Sequence, residues 1–230
     1  MLVSPSILTN SAEDAFRQID RLLPFFNTFQ IDIADGIFVP NTTVSIPELS
    51  EYIRHHNLSV KYKDYTFDFH LMVKDYVTHL EFLEHISKQI NIGVVMIHSK
   101  LRPNLDQLKH QFHSFIIGLV INPEESVQEF SSYYDLSEVP FIQIMSVNPG
   151  FQGAAFIPES LNKIEQLKKI DYRFKIYLDG GINDRTLPVI FSRTFTPDVI
   201  GPGSYISKAE DIKARVEELN SLIEKAKQEV

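Results

Sequence analysis

Short apolar runs alternate along this chain with longer segments in which apolar residues recur every three or four positions. Short runs bounded by turn residues predict buried β-strands, and the three- to four-residue spacing predicts amphipathic helices. Eight runs have the length and composition of strands: residues 3–8, 29–33, 67–72, 93–98, 115–121, 141–145, 174–178 and 198–201. This alternation of strand and helix is typical of a parallel α/β protein.

Helical spacing is clearest in four segments: residues 12–23, 76–90, 158–170 and 208–227. In the last of these, Ile212, Val216, Leu219 and Ile223 form one apolar stripe. The stretch 45–64 predicts one weak helix followed by a solvated connection, because it carries His55, His56 and lysines at 61 and 63.

Eight β-α units in 230 residues predict a closed (β/α)₈ TIM barrel, near the lower end of that fold's size range. An open, doubly wound α/β sheet is the alternative architecture. The barrel is favoured because no glycine-rich dinucleotide fingerprint follows the first strand. Since no linker, repeat or low-complexity tract interrupts the pattern, we expect a single domain over residues 1–230.

Composition narrows the functional classes. The formal net charge of -8 disfavours nucleic-acid and anionic-membrane partners, although backbone amides could still hold a small anion. The absence of cysteine excludes disulfides, thiolate metal sites and a cysteine nucleophile. The chain begins without a signal-like segment and contains no apolar run of the roughly 20 residues that span a bilayer, so we expect a cytoplasmic protein without a membrane partner.

Acidic residues followed by turns stand at two predicted strand ends. Asp32 begins the sequence 32–41 after one apolar run, and Asp179 precedes Gly180 and Gly181 after another. Strand ends are where chemistry takes place in α/β proteins. Two such carboxylates facing one pocket from opposite sides could move a proton across a small molecule.

The predicted strand ends carry several motifs in a fixed order. They are Ser4-Pro5-Ser6-Ile7-Leu8, residues 32–41, His70-Leu71-Met72-Val73, His98, Asn122-Pro123, residues 145–151, Asp179-Gly180-Gly181 and Gly203-Ser204. Over nearly the whole chain this series resembles the ribulose-phosphate 3-epimerase family. The resemblance implies a (β/α)₈ barrel that interconverts D-ribulose 5-phosphate and D-xylulose 5-phosphate by removing and returning the proton on C3.

The resemblance also implies roles for individual residues. Asp32 and Asp179 match the family's base and acid on opposite faces of the sugar. Asp32, His70 and Asp179 match ligands of a divalent, zinc-like metal ion that stabilises the enediolate. Ser6 and His70 match substrate contacts, and the 5-phosphate is expected on amides of the remaining matched residues, namely Gly150, Phe151, Gln152, Gly153, Gly180, Gly181, Gly203 and Ser204.

Each of these positions also has a purely structural interpretation. Asp32 could cap a turn, as Asp35 before Gly36 is expected to do. His70 could be a core histidine, and the glycines could serve turns alone. Met72 and Met145, which match methionines lining the family's reacting centre, could equally be core residues. The histidines at 55, 56, 79, 85, 110 and 113 are expected on the surface.

The chain departs from the family pattern near the first aspartate. The family sequence His-x-Asp-x-Met-Asp-Gly reads here as residues 30–36, with Gln30 in place of histidine and Ala34 in place of methionine. A glutamine amide is a poorer zinc ligand than imidazole, so Gln30 is a doubtful ligand, and the metal is expected to bind weakly or to be a different one. Gln152 and Ala154 also depart from the phosphate loop, residues 61–65 look like an insertion, and the segment after Val44 is off-pattern.

Two hypotheses follow for the function. The first is a working epimerase on the pentulose phosphate or a related ketose phosphate such as an allulose phosphate, and the second is a weakened homologue that binds sugar phosphate. The joint presence of Asp32, His70 and Asp179 favours the first. A decarboxylase or aldolase is disfavoured because no lysine stands at the matching strand ends. The expected partner is a small ketose phosphate, and the sequence is compatible with a homo-oligomer.

Overall fold

The computed structural model describes residues 1–151 and 153–228. Within this part of the chain, nine strands form one sheet in which every neighbouring pair is parallel, in the order β1-β9-β8-β7-β6-β5-β4-β3-β2. The strands are β1 Leu2–Val3, β2 Ser6–Ile7, β3 Thr28–Ala34, β4 Thr66–Met72, β5 Asn91–His98, β6 Ile116–Ile121, β7 Phe141–Met145, β8 Lys175–Asp179 and β9 Val199–Gly201.

The N-terminal segment closes this sheet into a barrel. β1 pairs with β9, whereas β2 pairs with β3, so one extended segment bridges the two ends of the sheet. Pro5 separates the two strands and has no N–H to donate, but its carbonyl accepts from the Gln30 N–H at 3.0 Å. The first predicted strand is therefore one strand in two parts. The predicted TIM barrel is confirmed, and the open-sheet alternative was wrong.

Helices surround the barrel. They are α1 Ala12–Leu22, α2 Ile46–His55, α3 Leu58–Lys61, α4 Tyr76–Ile86, α5 Leu105–Gln111, α6 Val127–Tyr133, α7 Leu161–Lys169, α8 Leu187–Phe191, α9 Ser204–Ser207 and α10 Ile212–Gln228. Several start at side chains that accept from the N–H three residues on, such as Ser11, Ser45 and Asp75. The predicted stripe of α10 is buried as expected. Among the described residues, no helix is both long and apolar enough to cross a bilayer.

The stretch 45–64 differs from its prediction. Two helices, α2 and α3, replace the single helix and solvated connection. Tyr62, directly after α3, is fully buried, stacks on Phe16 and donates its hydroxyl hydrogen to Asp20 at 2.7 Å. The burial of Tyr62 is not evident from the sequence, because its neighbours Lys61 and Lys63 are charged. Two helices also differ from their predicted limits. α4 ends at Ile86 instead of residue 90, and α10 begins at Ile212 instead of residue 208.

Alternating positions along the strands face different environments. Ile31 and Ile33 belong to a large apolar cluster between the barrel wall and the helices, whereas Gln30 and Asp32 turn the other way, into the barrel. A second, smaller apolar cluster fills part of the barrel: Val94, Met96, Val120, Phe141, Met145, Val147, Tyr177 and Val199. The barrel interior is thus partly apolar and partly polar, and its polar part holds the strand-end residues.

Gly118 on β6 is predicted to be essential for this packing. A Cβ atom there would lie 2.9 Å from the carbonyl oxygen of Phe141 on the neighbouring strand. We expect Gly118→Ala to lower the free energy of unfolding by ~1–3 kcal/mol. The energetic cost of overpacking should exceed the ~0.5–1 kcal/mol of stability gained because alanine reduces the entropy of the unfolded chain. Urea denaturation measures this change, and an unchanged or higher midpoint would show that the barrel has room for the methyl group.

Candidate active site

Three strands bring the predicted acidic and histidine residues together at one end of the barrel. Asp32 lies on β3 beside its register partner His70 on β4, and Asp179 ends β8. All three side chains are buried, being 1–5% exposed. His70 Nδ1 lies 3.1 Å from Asp32 Oδ1 and 3.7 Å from Asp179 Oδ2. The two carboxylates therefore meet around one imidazole, as the sequence predicted for a shared pocket.

These side chains form the floor of a cavity of about 560 Å³. Apart from Gln30, the doubtful ligand, every predicted site residue within the described part of the chain lines the cavity: Ser6, Asp32, His70, Gly150, Phe151, Gly153, Asp179, Gly180, Gly181, Gly203 and Ser204. The predicted phosphate contact Gln152 lies outside the described residues. Met72 and Met145, whose position was open between core and site, are buried and also line the cavity.

Gln30 connects the two carboxylates. Its Nε2 donates to Asp32 Oδ1 at 2.9 Å and to Asp179 Oδ2 at 2.8 Å. Its Oε1 is buried and has no hydrogen-bond partner in the described structure. In this orientation Gln30 offers the carboxylates a hydrogen-bond donor rather than a metal ligand.

Two buried residues of the site were not assigned a role from the sequence. Gln143 on β7 donates through Nε2 to Asp179 Oδ2 at 3.2 Å. His98 at the end of β5 lies with its Nε2 2.9 Å from Nε2 of His70, and the Phe38 ring lies 4.6 Å from the His98 ring. Gln143 has a detectable signal, because it is the one polar residue within the run Phe141–Met145.

Burial dominates the electrostatics of the site. Burial, followed by the negative charge of Asp32, raises the pKa of Asp179, against the opposing effects of His70, the Gln30 amide and the Gly180 N–H. Burial and then the charge of His70 lower the pKa of His98. Asn122 opposes this second shift, although neither His98 Nδ1 nor Asn122 Oδ1 makes a hydrogen bond of ordinary geometry to the described residues.

The two turn aspartates considered in the sequence behave differently. Asp35 serves the turn: its carboxylate accepts from the N–H groups of Ile37, Phe38 and Lys74 at 2.7–2.8 Å. Burial opposes ionisation there, but these N–H groups lower the pKa of Asp35 below its usual range. Asp32 instead accepts from the side chains of Gln30 and His70. Its position therefore favours a role in the site over a role in the turn.

Four glycines line one part of the cavity, the glycine-rich side. Gly150, Gly153, Gly180 and Gly181 all have positive φ, between 67° and 120°, a region that L side chains rarely adopt. A Cβ on Gly180 would also lie 2.5 Å from a methyl carbon of Val147. The glycines thus do serve turns, and at the same time their backbone comes close to whatever enters the cavity.

The loop after β3 is tied to this glycine-rich side. Asn41 Nδ2 donates to the Gly150 carbonyl at 2.6 Å, and a Cβ on Gly150 would lie 3.0 Å from Val39. Ala34 packs in a small cluster with Val39 and Met72, against which Leu8 and Phe38 lie.

Five of the histidines expected on the surface are exposed, at 55, 56, 85, 110 and 113, and His79 is half-buried.

The donor set can be tested against a divalent metal ion. Asp32, His70 and Asp179 each offer one ligand atom, and these three atoms lie within 4.8 Å of one another. Carboxylate oxygen and imidazole nitrogen are ordinary ligands of zinc and of related divalent ions. The three residues could therefore hold such an ion, while the Gln30 amide nitrogen could not join them as a ligand.

Comparison with known proteins places this geometry in context. The model of the ribulose-phosphate 3 epimerase family matches residues 2–206. Ribulose-phosphate 3-epimerase from Helicobacter pylori strain J99 is 28% identical over 228 residues, covering 96% of this chain and 98% of that protein. The enzyme of the same name from Aquifex aeolicus is 30% identical over 233 residues, covering 96% of both chains.

Solved structures are similar in fold. A structure described as KGPDC from Streptococcus mutans in complex with D-R5P has a TM-score of 0.67 at 10% identity, covering 97% of both chains. The 3-hexulose-6-phosphate synthase from Salmonella typhimurium has a TM-score of 0.64 at 10% identity, covering 98% of this chain and 100% of that one. At this identity the likeness concerns the fold alone.

Gln30 is predicted to limit metal binding. We expect Gln30→His to retain zinc ~10–100-fold more tightly, the range that losing one supporting residue usually costs, because imidazole nitrogen would replace an amide donor. The measurement is the zinc content of wild type and variant after dialysis against a graded series of chelator concentrations. Adding His70→Ala to the variant should abolish the gain.

A wild type that already holds one equivalent of zinc as tightly as the histidine variant would contradict this account of Gln30. The same titration with other divalent ions reveals whether the wild-type site prefers a different metal.

Proposed function

Because the chain belongs to the ribulose-phosphate 3-epimerase family of isomerases, we propose that it interconverts D-ribulose 5-phosphate and D-xylulose 5-phosphate, or the epimers of a related ketose phosphate, by proton transfer at C3. The observation that carries this proposal is the pair of buried carboxylates, Asp32 and Asp179, held at the floor of one cavity by a shared amide donor.

The two carboxylates take complementary roles. One is ionised and removes the C3 hydrogen as a proton, and the electron pair of the broken C–H bond moves toward the C2 carbonyl oxygen to give an enediolate. The other is protonated and delivers its proton to the opposite face of C3, which restores the carbonyl. The raised pKa of Asp179 supports this arrangement, because it allows the pair to share one proton near neutral pH.

Arg185 and Arg215 line the cavity, but its floor, formed by Asp32, His70 and Asp179, carries no lysine or arginine to balance charge that develops on the substrate. A divalent ion held by Asp32, His70 and Asp179 would supply that positive charge at the oxygens of the substrate. Gln30 orients both carboxylates through its two short hydrogen bonds. We propose a zinc-like ion that binds weakly or is replaced by another divalent metal.

The phosphate is proposed to bind at the glycine-rich side of the cavity. Gly150, Gly180 and Gly181 line the cavity there with backbone in the positive-φ region, and Gly203 and Ser204 also line it. Neutral amide donors bind an anion without altering the net charge of -8. Ser6, 5% exposed at the cavity wall, is proposed to contact the sugar.

One observation favours a second candidate, a homologue that binds sugar phosphate but turns it over poorly. Gln30 occupies the position of a metal-binding histidine in the resembled family pattern and bonds both carboxylates. Substitution of Asp32 or Asp179 distinguishes the enzyme from the binding protein. A protein that only binds the sugar phosphate has no epimerisation or C3 hydrogen exchange that such a substitution could reduce.

Asp32→Asn and Asp179→Asn are each expected to reduce epimerisation by ~10²–10⁴-fold, because an amide cannot exchange a proton with C3. Turnover and deuterium incorporation at C3 in D₂O measure the loss. Asp171→Asn is the control, because Asp171 is exposed and pairs with Arg173 on the surface. Near-wild-type exchange in either site variant would refute the two-carboxylate mechanism.

Activity is expected to depend on the phosphate group. Removing several charge-assisted hydrogen bonds of about 1.5–3 kcal/mol each should lower kcat/KM for free D-ribulose by at least ~10³-fold relative to D-ribulose 5-phosphate. Inorganic phosphate and sulfate should inhibit competitively and occupy the glycine-rich side in crystals. Comparable kcat/KM values for the two sugars would rule out this phosphate site.

A further inference from the structure

We propose that Gln143 is a positioning residue that fixes the orientation of the Asp179 carboxylate for proton transfer. Gln143 lies on β7, is 0% exposed, and turns into the barrel beside Asp179. The inference rests on the proposed proton-transfer function, because positioning matters only if Asp179 exchanges a proton with the substrate. It concerns a residue outside every motif that relates the chain to its family.

Two amides hold the same carboxylate oxygen from two sides. Gln30 on β3 and Gln143 on β7 both donate through Nε2 to Asp179 Oδ2, at 2.8 Å and 3.2 Å. β7 pairs with β8, which carries Asp179, whereas β3 does not, so Gln143 reaches Asp179 from the neighbouring strand and Gln30 reaches it across the barrel. Two donors on one oxygen restrict rotation of the carboxylate more than either alone.

The other oxygen of Asp179, Oδ1, accepts from neither Gln30 nor Gln143. A Cβ atom on Gly201 would lie 3.1 Å from Asp179 Oδ1, so this oxygen approaches a strand position with no side chain. Gly201 also lines the cavity. Holding Oδ2 therefore also fixes Oδ1 beside Gly201, at the lining of the cavity.

Gln143 is not what packing alone would select. Its Oε1 is buried with no hydrogen-bond partner among the residues described, which is unfavourable for an amide oxygen. Its neighbours Ile142 and Ile144 are apolar, and Met145 Sδ, 3.3 Å from Nε2, is at best a weak acceptor. A leucine of similar size would fill the space without leaving a polar atom unpaired. The gain that offsets this penalty is the contact with Asp179.

Gln143 separates positioning from the other roles in the site. Gln30 contacts both carboxylates, so changing it alters Asp32, Asp179 and the metal ligands together. Gln143 donates to Asp179 alone among the ionisable residues described here. The informative substitution is therefore Gln143→Leu.

Gln89→Leu provides the matched control. Gln89 also has a buried Oε1 without a partner in the described structure, and its Nε2 donates to Ser50 Oγ at 2.8 Å. It precedes β5, at the end of the strands opposite to the site. The same chemical change is thus made where it cannot affect Asp179.

The experiment compares wild type, Gln143→Leu and Gln89→Leu in D₂O at equal, measured metal content, starting from each epimer in turn. We expect Gln143→Leu to lower kcat by about 10-fold or more through misplacement of the carboxylate, with KM nearly unchanged. The melting temperature should be equal to that of wild type or higher, since an unpaired polar atom is removed. Gln89→Leu should retain wild-type kcat.

Isotope partitioning identifies which proton transfer is impaired. From the epimer whose C3 hydrogen Asp32 removes, slow delivery by Asp179 returns the enediolate to substrate, so recovered substrate gains deuterium relative to product. From the other epimer, removal by Asp179 is slow and the ratio falls. Opposite shifts from the two epimers are the expected result, since a general loosening of the site would move both ratios alike.

Three results would overturn the inference. Unchanged kcat in Gln143→Leu would show that Asp179 needs no second donor. Lower kcat with a lower melting temperature and unchanged partitioning would show a structural role instead. A wild type that neither epimerises nor exchanges the C3 hydrogen of these sugar phosphates would refute the proposed function, and the positioning role with it.

Discussion

The site is governed by the cost of burying two carboxylates side by side. Asp32 and Asp179 are both about 5% exposed and share one imidazole neighbour, His70. Burial, and then the nearby charge of Asp32, raises the pKa of Asp179. The polar residues of the barrel interior, Gln30 and Gln143, donate to these oxygens and offset part of the cost. The two carboxylates thus account for the buried glutamines inside the barrel. These contacts require β3, β7 and β8 to lie around one cavity.

Closure of the barrel brings those strands together. The segment that contains β1 and β2 pairs with β9 on one side and with β3 on the other. Without this bridge the strands carrying Asp32 and Asp179 would lie on separate parts of an open sheet. The Gln30 N–H donates to the Pro5 carbonyl, so the same residue that joins the carboxylates through its side chain joins β3 to the closing segment through its backbone.

Much of this arrangement could be predicted from the sequence, because buried parallel strands are continuous apolar runs and their ends carry the polar motifs. The eight strand runs followed from the first pattern, whereas most of the cavity residues followed from the resemblance of the strand-end motifs to a known family. The buried Tyr62 could not be predicted, since its burial depends on contacts with Phe16 and Asp20 from a distant helix. Gln143 was not singled out from the sequence, and His98, although one of the strand-end motifs, was given no role, for a different reason. Each is a single polar residue at the end of or within an apolar run, and only the barrel shows that it faces an aspartate or another histidine.

The outward and inward positions of the strands form different parts of the molecule, and this division bears on how such a chain can diverge. The large cluster between barrel wall and helices comes from the outward positions of the strands, whereas the cavity floor comes from the inward positions. Substitutions at inward positions such as Gln30, Ala34 and Gln143 therefore change the chemistry of the floor without removing a side chain from the main core. Relatives at 28–30% identity can thus share this fold while the inward-facing residues of the strands change one at a time.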